Sequence, residues 1–378
     1  MHLAMIGTRG VPARYGGFET AVEEVGRRLA DRGHRVSVYC RNENQTDRSY
    51  LGMDLINLPA VRRRQLETLS HTALSVLHAV TRLRPDAAFV FNAANAPLLE
   101  PLRWARVPFA THVDGLEWQR AKWEGAGARY YEWAVGRAVS RSDAVISDAR
   151  AIAAYVDDTY GVESVFLPYG APLVTPEPGV VESAGLSRRG YHLVVARMEP
   201  ENHVVEIVRG YVASSAEHPL VVVGSAPYAD AYLATVHAAA AGDARVRFLG
   251  AVWDQELLDQ LYANCLSYLH GHSVGGTNPS LLRAMGAAAP VTAYDVAFNR
   301  EVTDDGAAFF DSPLAVTAAV EADEQDPAAA ARRGAAGRGH VQSAYRWDEV
   351  ADGYERLGTH LLRHRRPQGV RRTRSGPS

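Results

Sequence analysis

The chain has 378 residues, of which 47% are hydrophobic and 22% charged, the composition of an ordinary soluble globular protein. Its length suggests two domains. Its formal net charge of −3 gives no global pull toward nucleic acid, and no apolar run reaches the ~18–20 residues that a membrane span needs.

Lys122 is the only lysine, so the positive charge is almost wholly arginine. Cys40 and Cys265 both stand in strand-like apolar runs, and buried, reduced thiols in a cytosolic protein are expected. No basic-plus-apolar leader is read at the N-terminus.

In chain order, Leu3–Ile6 reads as a short apolar strand. A glycine-rich turn, Gly7-Thr8-Arg9-Gly10 to Gly16-Gly17, leads from it into a helix over Phe18–Asp31 with Val22, Val25 and Leu29 on one stripe and Gly33 as its stop. Arg35–Cys40 is the next strand. Leu66–Leu83 reads as an amphipathic helix with Leu66, Leu69, Ala73, Val76, Leu77, Val80 and Leu83 on its buried face. Ala87–Phe91, Phe109–Thr111, Ala144–Ser147 and Val162–Leu167 are strands, and Trp118–Arg141 and Ala149–Tyr160 are helices. Prolines 168, 172, 176 and 178 with Gly170 and Gly179 mark a linker.

The alternation then restarts. Strands are expected at His192–Ala196, Leu220–Val223, Val246–Leu249, Cys265–His270 and Pro290–Tyr294. Helices are expected at Glu201–Ala216, Tyr228–Ala240, Asp254–Ala263, Ser280–Ala288 and Trp347–Arg363. A second glycine loop, His270 to Asn278, again joins a strand to a helix. Arg363–Ser378 holds six arginines and no acidic residue, a tail too polar to fold. Regular β–α alternation predicts parallel sheets covered on both faces. The expected division is 1–168, a linker at 169–179, 180–345, a terminal helix at 346–362 and the tail at 363–378. Both glycine loops fall at the carboxyl ends of strands, where α/β domains bind ligands and helix N-termini favour anions.

The first loop lacks the G-x-G-x-x-G spacing of dinucleotide-binding enzymes. No G-K-[ST] occurs either. Four longer stretches are more specific: G-T-R-G-V-P-A-R-Y-G-G-F-E-T at the start, Asp114 to Trp123, Val195 to Asn202, and H-G-H-S-V-G-G-T-N-P-S-L-L-R-A-M-G from His270. In sequence and order the chain resembles the family-4 glycosyltransferases, most of all their bacterial rhamnosyltransferase-like branch. The resemblance implies an α/β, GT-B architecture: two Rossmann-like domains facing across a cleft. It also implies retaining transfer from a nucleotide-diphosphate sugar to a saccharide or small-molecule acceptor. That sugar is a co-substrate; no cofactor and no nucleic-acid partner are expected.

The same resemblance implies roles residue by residue. His112, Asp114 and Arg197 form the catalytic set: His112 contacts the donor sugar near the scissile bond, Asp114 with Glu117 lines the acceptor side, and Arg197, before a helix, meets the diphosphate, as a guanidinium can take two phosphate oxygens. Gly16, Gly17, Gly275, Gly276, Thr277 and Asn278 surround the donor, with Gly224, Val252 and Trp253 beside its base and ribose. Trp253 as a core residue is the competing reading. Asn202 stands where most relatives carry a lysine, and donates a hydrogen bond without charge. Tyr15, Phe18, Glu117 and Trp118 line the acceptor side. Arg283 departs from the pattern, replacing the second glutamate of an E-x7-E pair whose first position is Gly275. It either meets a phosphate or acidic donor group, or has turned outward. His270 and His272 share a face if both lie on a strand, but no third ligand is near and no Asp-x-Asp occurs, so no metal is expected.

A tailoring enzyme with an unusual donor, a non-catalytic nucleotide-sugar-binding partner and a nucleotide-sugar epimerase remain as alternatives. A cytoplasmic location is expected. Arg62, Arg63 and Arg64 before the Leu66–Leu83 helix add a weaker expectation, peripheral contact with the inner membrane face.

Overall fold

The computed structural model describes residues 1–13, 16–41, 47–61, 63, 66–113, 115, 125–224 and 230–363. Strands β1 (His2–Ile6), β2 (Arg35–Cys40), β3 (Ser49–Tyr50), β4 (Met53–Asn57), β5 (Ala87–Val90), β6 (Phe109–Val113), β7 (Ala144–Ser147) and β8 (Val165–Phe166) form one sheet, ordered β3-β4-β2-β1-β5-β6-β7-β8. Its ladders are parallel except that of β3 with β4. That pair is a hairpin turned at Leu51 and Gly52, both with positive φ, the geometry of the tight turns that fit strand twist.

The second sheet is parallel throughout. It contains β9 (His192–Val195), β10 (Leu220–Val223), β11 (Val246–Gly250), β12 (Ser267–His270), β13 (Val291–Tyr294) and β14 (Ala307–Phe310), ordered β11-β10-β9-β12-β13-β14. The central strands are buried along nearly their whole length, as strands covered on both faces must be. In both sheets the order reverses beside the first strand, β1 or β9, and crevices open at such points.

Helices α1 (Gly17–Asp31), α2 (Glu67–His78), α3 (Glu100–Trp104), α4 (Ala126–Arg141) and α5 (Arg150–Tyr160) surround the first sheet. The second has α6 (Val180–Ser183), α7 (Val204–Val212), α8 (Asp230–Ala239), α9 (Gln255–Asn264), α10 (Pro279–Gly286), α11 (Ala297–Thr303), α12 (Pro313–Gln325) and α13 (Pro327–Ala344). The architecture is the expected pair of Rossmann-like α/β domains.

Several expectations from sequence need correcting. The segment read as one helix over Leu66–Leu83 is α2 followed by a wider π-helical turn at Ala79–Leu83, closed by Arg84 in the left-handed region. Its buried side is His71, Thr72, Ser75, Val76 and Ala79, while Leu66, Leu74 and Leu77 are 46%, 39% and 57% exposed. Part of this polar side is satisfied there, while Thr72 Oγ1 and His71 Nδ1 are buried without a hydrogen-bond partner among the described residues. The His71 ring bonds the Cys40 carbonyl (3.1 Å), and Ser75 Oγ donates to the His71 carbonyl (2.8 Å). The helix expected at Glu201–Ala216 is broken by His203 at φ 47° into a single turn, Pro200–Asn202, and α7. α4 is described from Ala126; the part of its expected range at 118–124, like the basic tail from residue 364, lies outside the described residues.

The proline-rich linker is not a free tether. Leu167, Tyr169, Ala171 and Val174 are buried in a core that reaches into both domains. Arg338 Nη1 donates to the carbonyls of Val174 and Gly286. The last helix, α14 (Trp347–Arg363), returns to the first domain. Tyr354 packs edge-on against Phe89 (5.0 Å between ring centres), and Gly358 lies against Leu3. Arg28–Asp348 (2.7 Å), Arg32–Glu355 (2.8 Å) and His34–Glu355 (2.8 Å) tie its outer side to α1 and the loop after it. Both cysteines are buried free thiols.

Candidate active site

The first glycine loop is packed tightly on its own domain. A Cβ at Gly7 would run into the Phe91 carbonyl, and one at Gly10 would come within 2.7 Å of Cys40 Cα; both glycines have φ near +100° (101° and 99°). Several of its amides are already engaged. Arg9 N–H donates to Glu19 (2.9 Å), Ala13 N–H to Glu23 (2.6 Å) and Gly10 N–H to Thr8 Oγ1 (3.1 Å). The loop therefore offers an anion fewer amides than its glycine content suggests, and what remains is the start of α1. There Gly16 is the cap residue. A Cβ on Gly17 would come within 2.8 Å of Pro279 Cγ and 3.3 Å of the Tyr169 hydroxyl, so this turn faces the second domain.

The second glycine loop lies in the seam between the domains. Asn278 caps α10 by accepting from Ser280 N–H (2.9 Å). Thr277 Oγ1 donates to the Asp148 carbonyl at the end of β7 (2.6 Å). Gly276 lies so close to the Asp148 carboxylate that a Cβ would collide with it, and a Cβ on Gly115 would stand 3.2 Å from Gly275 Cα.

Arg197 follows β9, with its side chain 44% exposed and its guanidinium 3.4 Å from Glu199. Asn202 is buried beside it. Its Nδ2 donates to the Arg197 carbonyl (2.8 Å), and its Oδ1 accepts from His272 Nδ1 (2.8 Å). Asn202 is thus a clamp holding the Arg197 turn against the second glycine loop. His270 is wholly buried and bonds Tyr268 Oη through Nδ1 (3.0 Å). His270 and His272 have separate partners, and their ring centres stand 6.2 Å apart.

Gly224 sits at φ 150°, where a Cβ would enter the Ala196 carbonyl; close chain approach between β9 and β10 requires it. Val252 is half-buried. Trp253 is 66% exposed, so the core reading of that residue fails. Arg283 is neither outward nor unpaired: from α10 it forms an ion pair with Asp259 of α9.

On the other side, His112 is the penultimate residue of β6, which is buried along its whole length. Phe91 stacks on its ring (4.6 Å, 16°) and Phe18 meets it edge-on (5.7 Å). Its Nε2 is 2.5 Å from Tyr354 Oη, and Nδ1 has no hydrogen-bond partner among the described residues. Burial pushes its pKa down to about 3, so the ring is neutral at neutral pH. Phe18 and His112, distant in sequence, are therefore neighbours. Tyr15, Asp114, Glu117 and Trp118 lie outside the described residues. Sequence reasoning missed Asp148, Asp259, Glu301 and Tyr354. Asp148 could have been found, as a polar residue at the carboxyl end of a strand; the others sit in helices with no motif around them.

Two family models match. Residues 16–170 match the glycosyl transferase 4-like domain, and residues 190–333 match the glycosyl transferases group 1. The chain is a GT-B glycosyltransferase. Among solved structures, this glycosyltransferase is similar to sucrose-phosphate synthase from Thermosynechococcus elongatus: 20% identity, 96% of this chain and 99% of that one, TM-score 0.83. It is also similar to Anabaena HepE in complex with UDP-glucose (15% identity, 95% and 100% covered, TM-score 0.77). A third likeness is to the UDP-forming α,α-trehalose-phosphate synthase from Burkholderia xenovorans in complex with glucose-6-phosphate (12% identity, 95% and 100% covered, TM-score 0.75). At these identities the likeness is one of fold. No curated protein matches the sequence.

Proposed function

We propose that the enzyme transfers a sugar, a deoxyhexose such as rhamnose, from a nucleotide diphosphate to an acceptor hydroxyl, with retention of configuration and without a metal ion. The observation that supports this best is the meeting of the Gly115 turn with Gly275, which brings the His112 strand end against the glycine loop leading to α10. A donor in this seam has its sugar toward His112 and its diphosphate toward α10 and Arg197. The solved structures of HepE with UDP-glucose and of a UDP-forming synthase support a nucleotide-linked donor.

In the transfer step, the bond from the anomeric carbon to the diphosphate oxygen breaks, and its electron pair leaves with the diphosphate. The Arg197 guanidinium and the amides from Gly275 to Asn278 take up the growing charge, the term that contributes most in such sites. The acceptor oxygen bonds the anomeric carbon on the same face, and its proton passes to the departing oxygen. Asn202 keeps the Arg197 turn and the glycine loop in register. The lack of any Asp-x-Asp in the sequence supports the metal-free reading. By resemblance, Asp114, Glu117, Trp118, Tyr15 and Phe18 serve the acceptor.

The test is a panel of nucleotide sugars screened by thermal unfolding. A donor at 100 times its Kd adds about 2.7 kcal/mol of stability. The stabilising donor is then incubated with candidate acceptors in excess EDTA, and the anomeric configuration of the product is read by NMR. Inversion, or activity that returns only with a divalent ion, overturns the mechanism. Binding without product favours the non-catalytic alternative, and conversion of donor alone favours the epimerase.

No helix among the described residues is long and apolar enough to cross a membrane. The exposed Leu66, Leu74 and Leu77, beside Arg63, support peripheral contact of α2 with an anionic lipid surface, where basic residues contribute about 1 kcal/mol each. Co-sedimentation with anionic but not neutral vesicles is expected, reduced in Leu74→Ser/Leu77→Ser; equal recovery in both supernatants rejects it.

A further inference from the structure

We propose that Tyr354, on the last helix, is a positioning residue that fixes His112 as a neutral ring protonated at Nδ1, and so decides which atom of that ring a ligand meets. The part of this that concerns transfer rests on the reading of His112 as the group facing the donor sugar.

The geometry allows two assignments of protons. The Tyr354 hydroxyl lies 2.5 Å from His112 Nε2, within hydrogen-bond distance, and the two ring planes are inclined by 23°. Both side chains are buried. Among the described residues, the contact with His112 is the hydrogen bond of the Tyr354 hydroxyl, and Nδ1 has none. If the ring proton sat on Nε2, it would donate to Tyr354 Oη. The hydroxyl hydrogen and the Nδ1 lone pair would then both be buried without partners. If instead the hydroxyl donates and Nε2 accepts, the ring proton is on Nδ1, and only that one N–H lacks a partner. Buried polar groups without partners are costly, so the second arrangement prevails. A doubly protonated ring is excluded by burial.

The ring cannot escape this by turning over. Phe91 is stacked on one face at 4.6 Å, and Phe18 meets the ring edge-on at 5.7 Å. Tyr354 is in turn held by Phe89 at 5.0 Å. In free imidazole side chains the proton prefers Nε2, so Tyr354 maintains the less favoured tautomer. The result is one buried N–H with nothing to donate to until a hydroxyl or ether oxygen arrives. Remove the tyrosine hydroxyl and the proton can return to Nε2. Nδ1 then becomes an acceptor, and the contact reverses polarity with no change in shape.

The test uses the full chain labelled with ¹⁵N at histidine. The His112 signals are identified by their loss in His112→Gln. At neutral pH the wild-type ring should show a protonated Nδ1 and an unprotonated Nε2. In Tyr354→Phe the Nε2–H form should become at least half of the population while the unfolding temperature stays near wild type. Transfer should then lose tenfold or more in kcat, with donor KM changed less than threefold. A wild-type ring protonated at Nε2 overturns the proposal without recourse to any variant, and so does an unchanged tautomer in a folded Tyr354→Phe. A tautomer that shifts while transfer is undiminished upholds the lock and removes His112 from the donor reading. Failure of donor binding in both proteins strikes only the proposed function.

Discussion

Glu301, in the second domain, caps a helix of the first: its carboxylate accepts from the amides of Arg150 (2.8 Å) and Ala151 (3.4 Å) at the start of α5. The cap residue of α5 is Ala149, which has no side chain able to do this. A helix that cannot satisfy its own first turn is satisfied across the cleft, and the negative charge also suits the helix dipole. Glu301→Ala should cost about 1 kcal/mol and weaken domain contact. A lower unfolding temperature and a larger radius of gyration by X-ray scattering are expected. Unchanged values of both would show that the cap does not hold the domains together.

Gly276 makes a sharper prediction. A Cβ there meets the Asp148 carboxylate, a short side chain with little room to yield. Gly276→Ala should cost roughly 1–3 kcal/mol through overpacking and reduce transfer tenfold or more. Gly339, within α13, has open space around an added Cβ. Gly339→Ala should instead stabilise by ~0.5–1 kcal/mol. Paired thermal melts decide it; similar behaviour of the two variants would refute the role of the Gly276–Asp148 approach.

Arg197→Ala should leave the fold intact, since the side chain is 44% exposed and its ion pair with Glu199 is long. Loss of contacts to diphosphate should cost on the order of 2–4 kcal/mol in the transition state. Near wild-type kcat/KM in a folded variant would remove Arg197 from the site.

Arg283→Glu places a carboxylate beside Asp259 instead of a partner. The change should destabilise by about 1 kcal/mol, and adding Asp259→Arg should restore most of it, as a double-mutant cycle measures. Calorimetric donor titration of the charge-swapped protein isolates any direct contact of Arg283 with donor. Equal affinity in wild type and swapped protein would limit Arg283 to pairing helices α9 and α10.

Three buried histidines should make the fold sensitive to acid. Burial lowers His112 and His270 to about 3, and burial with the nearby Arg41 lowers His71 to about 4. On unfolding, each regains an ordinary pKa near 6.5. Between these values the unfolded chain binds protons that the native state does not, so stability is full above about pH 6.5 and falls as pH drops, with a slope approaching 1.4 kcal/mol per unit for each histidine. Urea midpoints between about pH 7 and about pH 4.5 should therefore decline, and His71→Asn should flatten the decline. A midpoint constant over that range would contradict the burial of these rings in neutral form.

The sheets were legible because their strands are short apolar runs at regular spacing, and Arg35–Cys40, Ala144–Ser147 and Leu220–Val223 form as read. The helix stripe at α2 was not. Apolar periodicity named Leu66 and Leu77 as buried, whereas His71 and Ser75 find hydrogen bonds inside, and satisfied polar groups can take the inner face. At the site, the glycines could be recognised but not their use. Gly7 and Gly10 serve close packing within one domain, while Gly275 and Gly276 make room for the other. Asn202 reads as a ligand-facing amide until its two partners, Arg197 and His272, are seen. Tyr354 could not be found, since nothing local to it predicts that a helix at the far end of the chain would reach β6.

The return of α14 to the first domain also imposes an order of manufacture. The pocket around His112 takes its walls from Phe18 and Phe91, near the start of the chain, but its floor comes from residue 354. During synthesis the first domain can build its sheet long before that helix leaves the ribosome, yet its histidine has no fixed proton until the final stretch arrives. The first half alone, cut at the linker, would fold around an unfinished centre. A chain cut before α14 would leave the His112 pocket without the Tyr354 contact that closes it.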